Sequence, residues 1–293
     1  MVERRASKKN VFVFGQGLIG KAFIKELQEL EGFEVLGHAN SKSYTIGSRE
    51  TIGEPDLSGY GSDLVIVDCT ASDTLPEKYP TWISQGASLI LANKNGISKH
   101  AIMKECQRAA RESNSYFGWE ATVGAGIPVI RTIKDMLATG DSISKIDATL
   151  SGSLAFILNH FEQHGDIQEG LRIAQERGMM EPDPQVDLSG ADVLKKALIL
   201  GNMLGTNITV DHQPLDLLLP IKPTERYLAR VINDGTLIQI EVGLQNCEEI
   251  YRGTESVIRV YSKRFPDGLS LIGPGAGPDS TVHALLCDLI QTQ

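Results

Sequence analysis

The stretch VFVFGQGLIG, from Val11 to Gly20, decides the fold of this chain. Its four apolar residues predict a buried strand. Gly15, Gly17 and Gly20 follow at the spacing GxGxxG, before a segment with helical periodicity. Glycines at these positions allow a tight turn, an approach of the backbone to a pyrophosphate, and close packing of helix on strand. Because a strand and a helix frame the turn, the stretch favours a dinucleotide-binding site over a plain turn.

Apolar runs and helical segments alternate through the first part of the chain. The stretch at 33–36 predicts a second strand, and the apolar runs at 64–68 and 88–92 predict further strands that are buried on both faces. This alternation is typical of a doubly wound parallel sheet. Together with the glycine turn, it predicts an N-terminal Rossmann domain of class α/β.

The later part of the chain follows a different pattern. Alternating stretches at 143–150, 237–242 and 256–261 predict antiparallel strands, and Pro128 begins a helix. A glycine turn at 273–277 leads into a final helix. The change of pattern predicts a second domain, of class α+β, that begins near residue 125.

The composition limits the classes of partner. A formal net charge of −9 argues against a nucleic-acid-binding surface, which needs a basic excess. The chain has no apolar run long enough to span a bilayer, and residues 1–9 are expected to form a polar tail rather than a secretory signal. Four scattered cysteines without a CxxC pair predict reduced thiols. These features predict a cytoplasmic protein that binds small molecules and neither nucleic acid nor a membrane.

The residues after the second strand discriminate between the two nicotinamide dinucleotides. A carboxylate there would accept a hydrogen bond from the ribose 2′-hydroxyl and select NAD. The stretch 37–43, GHANSKS, carries no acid but contains Asn40 and Lys42, which leave room for a 2′-phosphate. The sequence therefore favours NADP(H), while use of NAD(H) as well stays open.

A second group of candidate residues surrounds a helix predicted to begin at the cap Ser189. Glu181 and Asp187 lie in the loop before it, and Asp192 and Lys196 share one face of the helix with an apolar stripe. A capping box with an ion pair one turn apart would make Asp192 and Lys196 purely structural. Their place at the head of an apolar stripe instead predicts partial burial, which is rare for charges without a function. Carboxylates there could bind an amino group while the lysine donates a proton to a carbonyl oxygen.

Two further turns carry weaker signals. The stretch 120–128, EATVGAGIP, could surround a monovalent cation with its carbonyl groups or could be the hinge between the domains, and the residues alone favour the hinge. The stretch Ser151-Gly152-Ser153 predicts a helix cap. A role for these serines in lining a pocket stays open.

Together with VFVFGQGLIG and the strand–SGS–helix element at Ser151, five later motifs resemble the homoserine dehydrogenase family, including the dehydrogenase half of the bifunctional aspartokinase–homoserine dehydrogenases. They are VDCTAS from Val67, ANKNGIS from Ala92, EATVGAGIPVI from Glu120, GMMEPDPQVDLSGADVLKKALIL from Gly178 and GPGAGPDSTV from Gly273. The resemblance covers nearly the whole chain, in the family's order. It implies NAD(P)-linked interconversion of L-aspartate 4-semialdehyde and L-homoserine, a step of threonine and methionine biosynthesis.

The resemblance also implies how the domains are organised. A dinucleotide-binding domain would span residues 1–125 and be completed by 274–293, whose helix returns to the Rossmann sheet. Residues 126–273 would form the substrate-binding domain and join two copies into a homodimer through its sheet. The segment between Lys196 and the last glycine turn is shorter than in the family by a few dozen residues. With no kinase segment before the fold and no regulatory domain after it, feedback through such a domain is not expected.

The resemblance assigns roles to individual residues. Lys196 matches the lysine that donates and accepts the proton, and Lys94 matches a second lysine near nicotinamide and substrate. The substrate-binding acids would be Glu181, Asp187 and Asp192. The cofactor contacts predicted from the motif and the resemblance together are Gly15, Gln16, Gly17, Leu18, Ile19, Gly20, Asn40, Lys42, Thr70, Ala71, Lys94, Gly178 and Gly275. The ligands of a matching sodium site would be oxygens of Glu120, Val123, Ala125 and Ile127.

Two other functions stay open. The same chemistry could serve a different small amino aldehyde or alcohol, or the chain could be a catalytically silent NADP(H)-binding protein. Retention of both lysines and all three acids argues against a silent protein, which has no need of that set.

Overall fold

A computed structural model describes residues 8–293 of the chain. Residues 1–7, which belong to the predicted tail, lie outside the described residues. The first strand already begins at Lys9, so the predicted tail is too long at its end. The chain forms two compact units, one comprising the residues up to Thr122 together with Gly277–Gln293 and the other comprising Val123–Ala276.

Helices occur in both units. In chain order they are α1 (Leu18–Leu27), α2 (Tyr79–Ser84), α3 (His100–Ser113), α4 (Val129–Ala138), α5 (Gly152–His164), α6 (Ile167–Glu176), α7 (Pro184–Leu188), α8 (Ala191–Leu204) and α9 (Pro278–Leu289). Among residues 8–293, every helix is too short or too polar to cross a bilayer.

The first unit is built on a sheet of seven strands in the order β4-β3-β2-β1-β5-β6-β7. The strands are β1 (Lys9–Phe14), β2 (Phe33–Ala39), β3 (Ser43–Ile46), β4 (Arg49–Ile52), β5 (Leu64–Asp68), β6 (Ser88–Leu91) and β7 (Phe117–Gly118). The five strands from β2 to β7 in this order run parallel, and the hairpin of β3 and β4 extends one edge antiparallel. The predicted Rossmann sheet is confirmed, and its parallel strands bring the ends of β1, β5 and β6 to one edge.

The core of the first unit joins the beginning of the chain to its end. Val13 of β1 and Val67 of β5 pack in one cluster with Phe23 of α1, and Val282 and Leu285 of α9 complete it. All five side chains are fully buried. The prediction that the final helix returns to the Rossmann sheet is therefore confirmed.

Asp288 of α9 fastens this helix to the last strand of the sheet. Its carboxylate accepts hydrogen bonds from the Tyr116 hydroxyl at 2.7 Å and from the Glu120 backbone N–H at 2.9 Å. Gly118 lies against this carboxylate, since a β-carbon built there would be 2.6 Å from Asp288 Cγ. Real contacts of this kind are never so short, so the aspartate can lie here only beside a glycine.

We expect Gly118→Ala to lower the thermal stability of the protein. The new methyl group must displace the Asp288 carboxylate or the Tyr116 ring, and overpacking of this kind costs about 1–3 kcal/mol. The Tm should fall by several degrees in a calorimetric or circular-dichroism melt. Gly59→Ala is the control, because a β-carbon there meets nothing within 4 Å. An unchanged Tm for Gly118→Ala would contradict the fastening role of Asp288.

The second unit is built on a six-stranded sheet in the order β13-β12-β8-β10-β11-β9. The strands are β8 (Ile143–Ala148), β9 (Ile208–His212), β10 (Glu225–Asn233), β11 (Ile238–Asn246), β12 (Ser256–Ser262) and β13 (Leu269–Gly273). Neighbours pair antiparallel except β9 and β11, which pair parallel. Helices α5 and α8 pack on this sheet. The strands predicted from alternation correspond to β8, β11 and β12.

Candidate functional site

The glycine turn after β1 has the geometry that the motif predicts. Gly15 has φ +104°, a left-handed conformation, and a β-carbon built on it would lie 2.8 Å from the Cys69 carbonyl oxygen. A β-carbon on Gly20 would lie 2.0 Å from the Gly15 carbonyl oxygen, whereas one on Gly17 would meet nothing within 4 Å. Gly15 and Gly20 therefore shape the turn, and Gly17 leaves open space in front of it.

The residues of this turn fit a pyrophosphate. Gly17 is the N-cap of α1, so the positive end of the helix dipole lies at the open space beside Gly17. The first turn of the helix, from Leu18 to Lys21, carries no acid that would repel a phosphate group. The side-chain nitrogen of Gln16 is buried without a hydrogen-bond partner among residues 8–293. A buried donor of this kind suits a ligand that brings its own acceptor oxygens.

A cavity of about 590 Å³ lies beside the turn, at the ends of β1, β2 and β5. Its volume is within the range of small-molecule sites. Asn40, Lys42 and Thr70 line it, as the predicted cofactor contacts should. The Asn40 side-chain oxygen accepts hydrogen bonds from the backbone N–H of Lys42 at 2.7 Å and of Ser43 at 3.0 Å. Asn40 thus shapes the turn that presents Lys42.

The same cavity is lined by an ion pair that the sequence did not predict. Lys78 pairs with Glu54, and both side chains face the cavity. Lys78 follows β5 and Glu54 follows the β3–β4 hairpin, so that their approach depends on tertiary structure. The sequence holds no motif around either residue that could have indicated it.

Lys94, the lysine predicted to lie near nicotinamide and substrate, is at the same edge of the sheet. Lys94 follows β6, and Thr70 and Ala71 follow the neighbouring parallel strand β5. The side chain of Asn95 joins the two loops, because its Nδ2 donates to the Ala71 carbonyl oxygen at 2.9 Å. The structure therefore brings these three predicted residues to the edge that carries the glycine turn.

In the second unit, Lys196 lies in the first half of α8. Its ammonium donates to the Leu150 carbonyl oxygen at 2.7 Å and pairs with Asp192 at 2.8 Å. The lysine side chain is 13% exposed and the aspartate side chain 57%. The prediction of partial burial is thus confirmed for Lys196. It is wrong for Asp192, because Asp192 lies in the first turn of the helix, on the solvent side.

Asp187 holds the loop that carries Glu181. One carboxylate oxygen accepts from the Ser153 hydroxyl at 2.8 Å, and the other accepts from the Glu181 backbone N–H at 2.9 Å. The Ser153 side chain belongs to α5, which Ser151 caps by accepting from the Leu154 N–H. The predicted cap at Ser151 is confirmed.

The three predicted acids line one cavity of the second unit, with a volume of about 390 Å³. Glu181, Asp187 and Asp192 share it with Ser151 and Lys195. Lys196 does not itself line this cavity, but its ion pair with Asp192 places the ammonium at the cavity's edge. The arrangement offers several carboxylates and an ammonium group to a small, amino-acid-sized ligand.

The predicted start of α8 needs a correction. The N-cap of α8 is Gly190, with φ +69°, and Ser189 ends the separate short helix α7 instead. Asp183 caps α7 by accepting from the Gln185 N–H at 3.0 Å. The predicted capping box from Ser189 to Asp192 is therefore wrong, because the predicted loop before α8 contains the short helix α7.

Two glycines predicted as cofactor contacts have local structural reasons to be glycine. Gly178 follows α6 with φ +65°. A β-carbon on Gly275 would lie 1.7 Å from the Ser256 hydroxyl oxygen, so the chain passes very close to β12 there. Their contact with a cofactor stays a prediction.

The turn at the predicted sodium site contains strained backbone. Gly124 has φ +81° and the next residue, Ala125, has φ +51°, which costs about 1–2 kcal/mol for a residue with a β-carbon. The Ile127 N–H donates to the Gly124 carbonyl oxygen at 3.0 Å, which closes the turn. Strained residues persist only where the surrounding structure holds them, and they cluster at ligand-binding and active sites. Among residues 8–293, no cluster of three His, Cys, Asp or Glu side chains could hold a metal ion, so a cation here would depend on backbone oxygens.

Comparisons with known proteins agree across both units. A family model described as homoserine dehydrogenase matches residues 128–290, and one described as homoserine dehydrogenase, NAD binding domain matches residues 15–120. The homoserine dehydrogenase of Schizosaccharomyces pombe is 34% identical, and the match covers 96% of this chain and 94% of that protein. The homoserine dehydrogenase of Emericella nidulans is 30% identical, with 95% and 96% covered.

The lengths of these proteins differ. The chain spans 38% of the bifunctional aspartokinase/homoserine dehydrogenase 2 of Arabidopsis thaliana, at 26% identity. The match with the Emericella nidulans protein extends over 355 residues, more than the 293 of this chain, so that relative carries segments without a counterpart here. A solved hyperthermophilic archaeal homoserine dehydrogenase in complex with NADPH has the same fold, with a TM-score of 0.82, 22% identity and 97% of each chain covered. On these findings, the chain belongs to the homoserine dehydrogenase family, NAD(P)-dependent oxidoreductases that act on a CH–OH group.

Proposed function

We propose that this protein interconverts L-aspartate 4-semialdehyde and L-homoserine, with the first unit binding the dinucleotide and the second binding the substrate. The observation that carries the proposal is the cavity that gathers Glu181, Asp187 and Asp192 beside the Lys196 ammonium. Substrate and product both carry an α-ammonium group, to which carboxylates can bind. Both also carry a reacting oxygen, with which a lysine ammonium group can exchange a proton.

A nicotinamide dinucleotide, when bound, would supply the hydride chemistry between the aldehyde and the alcohol carbon. Lys196 then donates a proton to the oxygen on which negative charge develops, and takes it back in the reverse direction. Its bonds to Leu150 and Asp192 hold the ammonium in one place before the substrate arrives, which favours reaction. Glu181 and Asp192 would bind the substrate's ammonium group, with Asp187 holding Glu181 in position. Lys94 would lie near both reactants.

The proposal includes a preference for NADP(H) over NAD(H). The turn after β2 presents Lys42 and no acid, and Lys78 lines the same cavity, where it is paired with Glu54. A 2′-phosphate would gain charge-assisted hydrogen bonds from such groups, whereas a 2′-hydroxyl would find no carboxylate in the turn to accept its proton. We also propose a sodium ion on oxygens of Glu120, Val123, Ala125 and Ile127, and a homodimer formed through the sheet of the second unit.

The activity is tested by the oxidation of NADPH with L-aspartate 4-semialdehyde, followed by the cofactor's absorbance. Turnover supports the proposal. If the protein binds NADPH and turns over another amino aldehyde but not this one, the proposed substrate is wrong and the other aldehyde takes its place. Binding without turnover of any amino aldehyde in a panel would instead indicate a silent binding protein.

The cofactor preference is tested with Lys42→Gln. We expect this change to weaken NADPH binding about tenfold and to leave NADH binding nearly unchanged, because only the 2′-phosphate loses a charged partner. Dissociation constants of both cofactors can be measured by calorimetry. Lys104→Gln, on the exposed side of α3, is the matched control. Equal loss of affinity for both cofactors would show that Lys42 does not contact the 2′-phosphate.

A further inference from the structure

Asp68, the last residue of β5, is a carboxylate with no exposed surface. A buried carboxylate is costly unless hydrogen bonds satisfy its oxygens. Here one oxygen accepts from the Thr70 backbone N–H at 2.7 Å. The other accepts from Asn93 Nδ2 at 3.0 Å and from the hydroxyl group of Tyr79, a residue of α2. The donors come from two loops and one helix, so Asp68 joins three segments of the first unit.

Asn93 continues this network between the loops that follow β5 and β6. Its Nδ2 also lies 2.9 Å from the Ser72 carbonyl oxygen, and its Oδ1 accepts from the Asn95 N–H at 2.9 Å. Asn95 in turn donates to the Ala71 carbonyl oxygen. Asn93 and Asn95 flank Lys94 in the chain, so the backbone on both sides of this lysine is bound to the neighbouring loop.

Tyr79 is the member of the network that comes from outside the two loops. Its side chain is fully buried, and it packs beside Trp82 with a distance of 6.1 Å between ring centroids. Burial, reinforced by the nearby Asp68, raises the pKa of Tyr79 well above its ordinary value. At neutral pH the hydroxyl group therefore carries its proton and donates a hydrogen bond to Asp68.

We propose that Asp68, Tyr79 and Asn93 are positioning residues that hold Lys94 and Thr70 in place for hydride transfer. The inference rests on the proposed function. Thr70, Ala71 and Lys94 are the proposed dinucleotide contacts in the two loops, whereas the glycine turn, Asn40 and Lys42 lie outside them. Loss of a single network bond should therefore leave most of the dinucleotide binding intact. It should instead let the two loops shift, and a shift of about 1 Å in a reacting group can cost up to a hundredfold in rate.

The first test compares Tyr79→Phe and Asn93→Ser with the unchanged protein. Each variant removes one bond to Asp68. Tyr79→Phe keeps the packing, whereas Asn93→Ser also removes the bonds of Asn93 with Ser72 and Asn95. We expect kcat to fall about tenfold, the Kd of NADPH to stay nearly constant, and the isotope effect with deuterated NADPH to rise as hydride transfer becomes slower. An unchanged kcat and isotope effect in both variants would overturn the proposal. So would a fall in kcat fully explained by weaker NADPH binding.

Tyr116→Phe is the matched control for a purely structural effect. It also deletes a hydrogen bond from a tyrosine to a buried aspartate of the first unit, here Asp288, but it lies outside the two loops. Its Tm should fall with that of Tyr79→Phe, while its kcat and isotope effect should not change. Equal effects of the two phenylalanine variants on kcat and on the isotope effect would show that the network only stabilises the fold. This outcome would overturn the proposal.

A double-mutant cycle tests whether the network acts through Lys94. In a Lys94→Met background, Tyr79→Phe should lower kcat by less than about twofold, because the residue to be positioned is gone. A full tenfold loss in that background would contradict the assignment. The wild-type protein is measured first with L-aspartate 4-semialdehyde, so that its own inactivity would count against the proposed function and not against the network.

Discussion

Lys196→Met should lower kcat by about 10²–10⁴-fold, the range expected when a general acid is removed from the reacting atoms. Methionine keeps the length of the side chain within α8 but cannot protonate the developing alkoxide. The Kd of NADPH should change little, because the cofactor contacts proposed here are mostly contributed by the first unit. Steady-state kinetics with L-aspartate 4-semialdehyde and cofactor calorimetry would measure the two quantities separately.

The neighbouring lysine provides the sharpest comparison. Lys195 lines the cavity of the second unit, whereas Lys196 bonds to Leu150 and Asp192 at its edge. If Lys196 is the proton donor, Lys195→Met should raise the KM for the substrate moderately and preserve most of kcat. Lys104→Met controls for the loss of an exposed charge. A greater loss of kcat in Lys195→Met than in Lys196→Met would exchange the roles of the two lysines.

The central strands β5 and β6 of the Rossmann sheet were predictable because they are buried on both faces. Every residue of β5, Leu64–Asp68, is buried, so an unbroken apolar run indicates it in the sequence. The hairpin of β3 and β4 was missed for the opposite reason. Its residues are half-buried or exposed, and they pair at the edge of the sheet without a clear alternation of apolar and polar positions.

The candidate site was predictable in its residue types and not in its connections. The spacing of Asp192 and Lys196 indicated an ion pair one helical turn apart, and the structure contains it. The bonds from Asp187 to Ser153 and from Asp68 to Asn93 join residues far apart in the chain, and a single sequence holds no periodicity that would reveal them. Residue spacing thus predicted contacts within one helix, whereas contacts between loops became visible only in the three-dimensional structure.

Asp187→Ala should lower kcat/KM for the substrate by about 30- to 100-fold, corresponding to about 2–2.7 kcal/mol. The change removes the acceptors of the Ser153 hydroxyl and the Glu181 N–H together, so the loop that carries Glu181 loses its attachment to α5. The expected effect falls mainly on KM, because Glu181 is proposed to bind the substrate's ammonium group. Initial rates over a range of semialdehyde concentrations would separate KM from kcat.

Two variants on the same segment distinguish substrate binding from loss of helix stability. Asp183→Ala removes the cap of α7, at a cost of about 1 kcal/mol, but leaves both bonds of Asp187 in place. Ser153→Ala removes only one of those two bonds. We therefore expect kcat/KM to fall least in Asp183→Ala, more in Ser153→Ala and most in Asp187→Ala. An equal fall of kcat/KM in Asp183→Ala and Asp187→Ala would show that the activity depends only on the stability of α7. Asp187 would then not position Glu181 for the substrate.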